Sequence, residues 1–489
     1  MRLSSALFPS KEWYTLFMDT FRSDPWWFRR LCDAKRYRWF CWLWAIGSFV
    51  HITLPHFASA AWFPCWLLSF FGLVLVAWRG CWLGWALSFA GLLIPIPWLE
   101  DQLTQSVVML LQAGAALAFF SFTPQSSGDR AHLAFARAIR CLTVAVYGFA
   151  AFHKLNWDFL DPSVSCASGG LQLLAEGWAI TAPVPSELLQ IAPYLFLLAE
   201  LSVSILFVFR PLAGITLASA VHVPLTIIFA PAFAFTLMPA WLFFLREREL
   251  ERIVFLVKAQ WVKIVAIGGS CGAISTTLYL SVHGTTDYYW AAKKCLMWII
   301  FIGAITTYIK SSPAQRATRG AWPDPKPHFR RAWLPLLLGI WVLNALTPYA
   351  GLQFHRSAAM LSNLRIDQGC WNHLFVPEEV RIFDPYVRIN TVTVLRRSGE
   401  QQNVPAVHEP LWSLEGIWLQ RQRWCTSSGS LRQGTSFVPP TISIQGEYRG
   451  QRFTTLDACN DWPLPTPFFS GLRLFQTNLS RQCPQECLH

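Results

Sequence analysis

The sequence predicts an all-α polytopic membrane bundle of about eleven transmembrane helices, followed by a small extracytoplasmic β-rich C-terminal domain. Of the 489 residues, 53% are hydrophobic and only 14% are charged, whereas soluble chains carry about 25% charged residues. The mean hydropathy is +0.34, and the 26 Trp and 37 Phe suit a protein with two membrane interfaces. From residue 350 onward, short alternating apolar runs replace the long continuous ones.

Apolar runs that approach the ~20 residues of a helix crossing a ~30 Å hydrocarbon core predict the spans. The run at 231–245 is short, and the run at 82–98 is interrupted by Pro95 and Pro97. The predicted spans are 39–57, 60–78, 82–98, 105–123, 132–153, 190–209, 212–230, 231–245, 264–282, 291–309 and 333–349.

Lys and Arg residues are concentrated on one predicted side of this bundle. They crowd the segments 1–38, 246–263 and 310–331, whereas the opposite loop 154–189 has Lys154 as its only Lys or Arg. Because cytoplasmic loops carry the excess of positive charge, the N-terminus is expected in the cytoplasm of a bacterial inner or plasma membrane. The net charge of +12 then reflects topology and contact with anionic lipid, and nucleic acid is not expected as a partner.

The leader and one loop add two further expectations. Ser10–Phe21 mixes apolar and charged residues, as either a helix lying in the membrane interface or an ordinary ordered segment would. Lys293 and Lys294 fall near the outer end of the tenth span, where they are expected to snorkel toward the headgroups. The chain divides into a basic cytoplasmic leader (1–38), a transmembrane domain (39–349) and an extracytoplasmic β-rich domain (350–489).

The C-terminal domain carries the clearest strand and disulfide signals. Alternating runs at Tyr386–Leu395, Thr441–Gln445 and Gln451–Thr455 predict β-strands. An even number of cysteines on the oxidising side predicts structural disulfides, although the sequence does not choose among the pairings. These cysteines are Cys166, Cys370, Cys425, Cys459, Cys483 and Cys487.

Ionisable residues in the apolar runs are the candidate functional residues. His51, Glu200 and His222 lie inside such runs, and Lys154 lies at the outward end of the fifth. A charged group in a span costs several kcal/mol unless it faces a cavity or a polar partner. The structural alternatives are snorkelling for Lys154 and interhelical hydrogen bonds for Glu200 and His222.

The stretch Phe149–Asp161 (FAAFHKLNWDFLD) resembles the lysine-bearing segment of vitamin K-dependent gamma-carboxylase. It also resembles the bacterial membrane proteins that share the horizontally transferred transmembrane domain of that enzyme. The letters KLNWDF from Lys154 follow the family pattern, with Asn156 in place of an acid. Leu197–Pro211 is similar to the family's acidic helix, and Val221-His222 is similar to the histidine that follows it.

This resemblance implies a carboxylase or epoxidase that acts at the outer face with a quinol such as menaquinol. Lys154, Glu200 and His222 would be its catalytic residues. In the carboxylase, the matching lysine is thought to deprotonate reduced vitamin K, and oxygenation then yields a base that prepares glutamate for carbon dioxide. Such a lysine needs a poorly hydrated site, because an ammonium cannot act as a base.

The alternative is a non-enzymatic membrane subunit, assembly factor or lipid-binding protein whose C-terminal domain docks a partner. Two departures from the family favour it. Glu100–Leu110 has no His where the family carries an Asn-His pair, and the substrate-gripping region is reduced to the tail after Ala350. The expected partners are the lipid bilayer, a quinone, and a membrane or extracytoplasmic protein.

Overall fold

Helices make up most of the described chain, and a small antiparallel sheet lies near its C-terminus. The interfacial helix predicted at Ser10–Phe21 lies outside the described residues. This computed structural model describes residues 35–52, 63–94, 104–122, 128–177, 180, 182–228, 233–245, 247–283, 288–311, 333–352, 354, 357–359, 361–395, 401–403, 410–427, 441–465, 479–485 and 487.

Most of the helices coincide with the apolar runs of the sequence, and one lies in the C-terminal region. Leu242–Phe244 and Glu378–Val380 each form a single 3₁₀ turn. The helices are α1 (Lys35–Ile52), α2 (Phe63–Arg79), α3 (Trp82–Leu93), α4 (Thr104–Phe122), α5 (Gly128–His153), α6 (Trp157–Leu160), α7 (Cys166–Gly177), α8 (Ser186–Phe209), α9 (Pro211–Ile228), α10 (Phe233–Trp241), α11 (Glu247–His283), α12 (Tyr288–Lys310), α13 (Trp333–Leu346) and α14 (Leu414–Ser427).

Three helices among the described residues are long and apolar enough to cross a membrane: Phe135–His153 in α5, Ser186–Phe209, and Glu249–Ser281 in α11. The shorter apolar helices have 10–17 residues, fewer than the ~20 that cross the hydrocarbon core. The predicted count of eleven spans is therefore not supported. The run predicted at 82–98, for example, is helical only to Leu93, because prolines follow and cannot continue a helix.

Helix α5 lies at the centre of the helical part. It packs against α4, α8, α10 and α13, and large aromatic side chains fill the space around it. Close backbone approach holds other helices together: a Cβ atom at Gly268 or Gly272 of α11 would overlap the backbone of Ile299 or Cys295 of α12. Small residues spaced by four positions allow this packing in membranes. The buried aromatic residues include Tyr37, Phe40, Trp44, Trp85, Phe119, Phe135, Phe207, Phe243, Phe244 and Trp341.

The sheet has the strand order β5-β4-β1-β3-β6, with β2 pairing the far end of β1, and all of its pairs are antiparallel. The predictions for β1 and β5 are confirmed, and β4 extends three residues beyond its predicted end. Apolar residues of α14 pack on β1 and β4 to form a core, and the alternating pattern did not predict this helix. The strands are β1 (Tyr386–Leu395), β2 (Gln401–Asn403), β3 (Pro410–Ser413), β4 (Thr441–Tyr448), β5 (Gln451–Thr455) and β6 (Leu479–Ser480).

The predicted disulfides are confirmed, and the structure supplies their pairing. Cys425–Cys459 links α14 to the segment after β5, and these two cysteines are only 34 positions apart in the sequence. The other two bonds tie distant segments to the last residues of the chain: Cys166–Cys487 spans 321 positions and Cys370–Cys483 spans 113. Three disulfides are typical of a protein in an oxidising, extracytoplasmic compartment.

Candidate functional site

The candidate site lies at the C-terminal end of α5. The helix ends at His153, because the N–H groups of Lys154 and Leu155 each donate to the carbonyl three residues back and thereby tighten the last turn. Asn156 then begins α6: its Oδ1 accepts a 2.8 Å hydrogen bond from the N–H of Phe159, as an N-cap residue does. Asn156 is thus a structural cap.

Lys154 points into the protein and forms an ion pair with Glu200 of α8. Its Nζ lies 3.0 Å from Oε2 of Glu200, and the two side chains are 6% and 13% exposed. Oε2 is buried and the contact is ionic, without an aligned hydrogen bond. Nζ also donates a 3.3 Å hydrogen bond to the carbonyl of Ala150. The structure therefore brings two of the three predicted catalytic residues together, and Lys154 does not snorkel.

Glu200 lies on the face of α8 that packs against α5. Val203 and Phe207, three and seven positions further on, are fully buried, and Oγ of Ser204 donates a 3.3 Å hydrogen bond to the carbonyl of Val144 on α5. Side chains spaced by three, four and seven residues share one face of a helix. This helical spacing directs Glu200 toward the end of α5.

His222 of α9 lies apart from this ion pair. Its Nε2 is 2.8 Å from Oη of Tyr147, and its ring stacks on Trp241. Tyr147 precedes Lys154, the first residue after α5, by seven positions, so the two lie on the same side of the helix, about 10 Å apart along its axis at 1.5 Å per residue. The described contacts of His222 match the predicted alternative, an interhelical hydrogen bond.

Two other ionisable residues of the apolar runs have their contacts elsewhere. Nε2 of His51 on α1 lies 2.9 Å from Oγ of Ser106 on α4. Lys294 was expected to snorkel, but it is 1% exposed, and its Nζ lies 3.7 Å from the centre of the Tyr279 ring. The snorkelling expectation for Lys294 was wrong, because α11 packs against α12 and covers this side chain with an aromatic face.

The segment that follows α13, which includes Tyr349, Ser357, Arg365 and His373, covers the end of α5 and is called the covering segment below. His153 is fully buried, with Nδ1 2.8 Å from Oη of Tyr349 and Nε2 3.0 Å from the carbonyl of Ser357. A carbonyl can only accept, so Nε2 of the neutral ring carries the proton and Nδ1 accepts from the Tyr349 hydroxyl. Both nitrogens of His153 therefore anchor this covering segment.

His373 forms a second set of hydrogen bonds that hold the covering segment at the end of α5. Its Nε2 donates a 3.1 Å hydrogen bond to the carbonyl of Phe152, while Nδ1 accepts from the N–H groups of Phe375 and Val376. Burial lowers the pKa of His373 below its ordinary 6.5, which keeps Nδ1 available as an acceptor at neutral pH. The backbones of Asn156 and His373 also pair as an isolated antiparallel bridge.

Arg365 joins the covering segment to the end of the chain. Its guanidinium binds both carboxylate oxygens of Asp367, at 2.7 and 2.8 Å. It also donates to the carbonyl of Ser480 at 2.8 Å, to Oε1 of Gln485 at 3.0 Å and to the carbonyl of Gln482 at 3.3 Å. The residues near both long-range disulfides are thereby held by one buried cation.

Asp158 gives a pH-dependent prediction. Burial raises the pKa of its carboxyl above the ordinary 3.8, although the Asn372 side chain and the charge of Arg365 oppose the rise. A raised pKa means that the folded state binds the proton more tightly than the unfolded state, so stability falls as pH rises through that value. Asp158→Asn should therefore be more stable than the parent at pH 7, and the difference should shrink as pH falls toward about 4 and vanish below it. Unfolding midpoints of the two proteins across this pH range measure the difference. A variant that is less stable than the parent by the same amount at every pH would contradict the prediction.

Comparison with known proteins gives no match to any family model, curated protein or solved structure. The candidate site therefore rests on its own geometry. Sequence reasoning found Lys154 and Glu200 as charged residues in apolar surroundings. It missed Tyr147, Tyr349 and Arg365, although a tyrosine seven positions before Lys154, two helical turns away, was a usable signal.

Proposed function

We propose that the chain is a multi-pass membrane protein of the gamma-carboxylase-like family, in which Lys154 and Glu200 take a proton from a membrane-soluble quinol. The observation that carries the proposal is the buried ion pair, with Nζ 3.0 Å from Oε2. The resemblance at KLNWDF supports the family. The three disulfides support an extracytoplasmic C-terminal region and hence a site at the outer face, with the N-terminus cytoplasmic.

The chemistry depends on sharing one proton between the two side chains. In the proposed reaction, the ammonium of Lys154 first passes a proton to the carboxylate of Glu200 3.0 Å away, a transfer that leaves the net charge of the pair unchanged. The neutral Lys154 amine then accepts a proton from the quinol hydroxyl. In this second transfer, one proton moves and no electron does. Lys154 becomes an ammonium again, Glu200 stays protonated, and the negative charge of the quinolate balances the positive charge of the ammonium.

Access from the lipid is consistent with the exposure of α8. Leu198 and Leu201, beside Glu200 in sequence, are 61% and 45% exposed, so they would contact acyl chains in a bilayer. An isoprenoid tail lying along these leucines would bring a quinol head close to the partly exposed Glu200. We assign His222 a positioning role, because it contacts Tyr147 on the side of α5 that leads to Lys154.

The test uses the full chain reconstituted in vesicles that contain menaquinol, with oxygen present and quinol loss measured. Lys154→Met and Glu200→Gln should each lower the rate about 10²-fold or more, the usual contribution of a general base. Lys294→Met is the matched control, because it removes another buried lysine from a different helix pair and should leave the rate unchanged. No quinol loss with the parent protein, or a parental rate with Lys154→Met, would disprove the proposal.

The non-enzymatic alternative, a subunit, assembly factor or lipid-binding protein, is favoured by a different observation. The Lys154 ammonium already contacts Glu200 and Ala150, and both nitrogens of His153 hold the covering segment. In this alternative, the cluster fixes the C-terminal region for docking a protein partner. Lys154→Met would then weaken folding while the parent shows no quinol-dependent reaction.

A further inference from the structure

We propose that a collar of exposed apolar residues at the ends of α5 and α13 inserts into the phospholipid interface and seats the C-terminal region on the membrane. The inference is independent of the proposed quinol chemistry. Large apolar side chains that are grouped at the surface of a protein mark interaction surfaces. The collar consists of Trp157, Leu352, Phe375, Ile382 and Phe383, which are 67%, 36%, 70%, 69% and 42% exposed.

Backbone hydrogen bonds hold the collar close to the two helix ends. The N–H of Phe383 donates a 3.1 Å hydrogen bond to the carbonyl of Ala350, four residues after α13 ends. The N–H of Leu374 donates a 2.9 Å hydrogen bond to the carbonyl of Leu155, two residues after α5 ends. Phe375 and Ile382 are each one residue from these anchored positions, so they lie at the level where the apolar helices end.

Gly351 makes one of these contacts possible. Its φ is +71°, and a Cβ atom there would overlap the carbonyl oxygen of Phe383. A residue with a side chain would be strained at this φ and would push the 382–383 segment away. The collar is thus held in place by a defined turn directly after α13.

The position of the collar favours lipid as its occupant. The headgroup region extends about 5–8 Å beyond each side of the hydrocarbon core, and the collar begins only a few residues after an apolar helix ends. Aromatic side chains concentrate in this layer, where a ring contacts acyl chains while polar atoms stay hydrated. Two of the neighbouring charges compensate each other, because Arg381 and Glu378 form a 3.0 Å ion pair, and the exposed Glu379 can remain in the hydrated headgroup layer.

The matched control is Leu456, which is 76% exposed but distant from the collar. It follows Thr455, which pairs with Ile444, and Ile444 in turn pairs with Val392 of β1. Val392 is six residues from Tyr386, the first residue of β1, so it lies about 20 Å along the strand at ~3.3 Å per residue. Leu456 therefore has the exposure of a collar residue without its position.

The test places a nitroxide side chain at Phe375, Ile382 or Leu456 of the full chain in phosphatidylcholine–phosphatidylglycerol vesicles. Relaxation is compared between oxygen, which concentrates in lipid, and a water-soluble nickel chelate. The oxygen-to-nickel ratio should be several-fold higher at the two collar positions than at Leu456. Equal ratios at all three positions, or low accessibility to both reagents at the collar, would overturn the proposal, the latter by indicating a protein contact. Intact disulfides verify that each labelled chain is folded.

Discussion

Replacing Lys154 with alanine is expected to lower the free energy of unfolding by about 3–5 kcal/mol, the range for removing one partner of a buried ion pair. Glu200 would keep its carboxylate on a packed helix face after losing the ammonium 3.0 Å away. Its side chain is 13% exposed, so water can relieve part of the penalty, and the lower end of the range is expected. Unfolding of the purified full chain in detergent measures the effect.

Two variants separate the lost pair from the lost packing. Lys154→Met combined with Glu200→Leu removes both charges while retaining side-chain volume, and should recover most of the stability, as such exchanges of buried pairs do. Lys294→Met removes a buried ammonium for which the described residues provide an aromatic ring and no hydrogen-bond partner. It should be neutral or stabilising. A loss as large as that of Lys154→Ala in both variants would contradict the ion-pair explanation.

The sequence predicted the local features of this fold better than its membrane topology. The alternation in Tyr386–Leu395 was sufficient for β1, because a half-buried strand repeats every two residues. Hydropathy alone could not distinguish a span from a shorter buried helix. Helix α3, with 12 residues, is apolar enough for either, and its length depends on where the backbone breaks.

The candidate site was predictable in part for the same reason. Glu200 was recognisable because a carboxylate in an apolar helix needs a partner, and Lys154 lay at a level that α8 could reach. The contacts of His153 with Tyr349 and Ser357 join residues about 200 positions apart. No local pattern encodes such contacts, since they depend on how the segment after α13 folds back.

Replacing Arg365 with alanine should cost about 3–5 kcal/mol, because it leaves the carboxylate of Asp367 buried without its cation. Arg365 and Asp367 are 3% and 2% exposed, and the variant also loses donors to three residues near the chain end. Arg365→Lys should recover little of this, since an ammonium cannot reproduce the two-pronged contact. The unfolding midpoint of the full chain in detergent measures both variants.

The matched control is Glu378→Ala, which breaks the ion pair with Arg381 in the same region. Glu378 is 36% exposed, so its loss should cost less than about 1 kcal/mol. The disulfides Cys166–Cys487 and Cys370–Cys483 still tether the chain end in Arg365→Ala, and therefore protease should release this end from the variant only after reduction. If the reduced parent releases it equally fast, the disulfides alone hold the chain end. If Arg365→Ala and Glu378→Ala have the same unfolding midpoint, the buried cation contributes no more to stability than a surface ion pair.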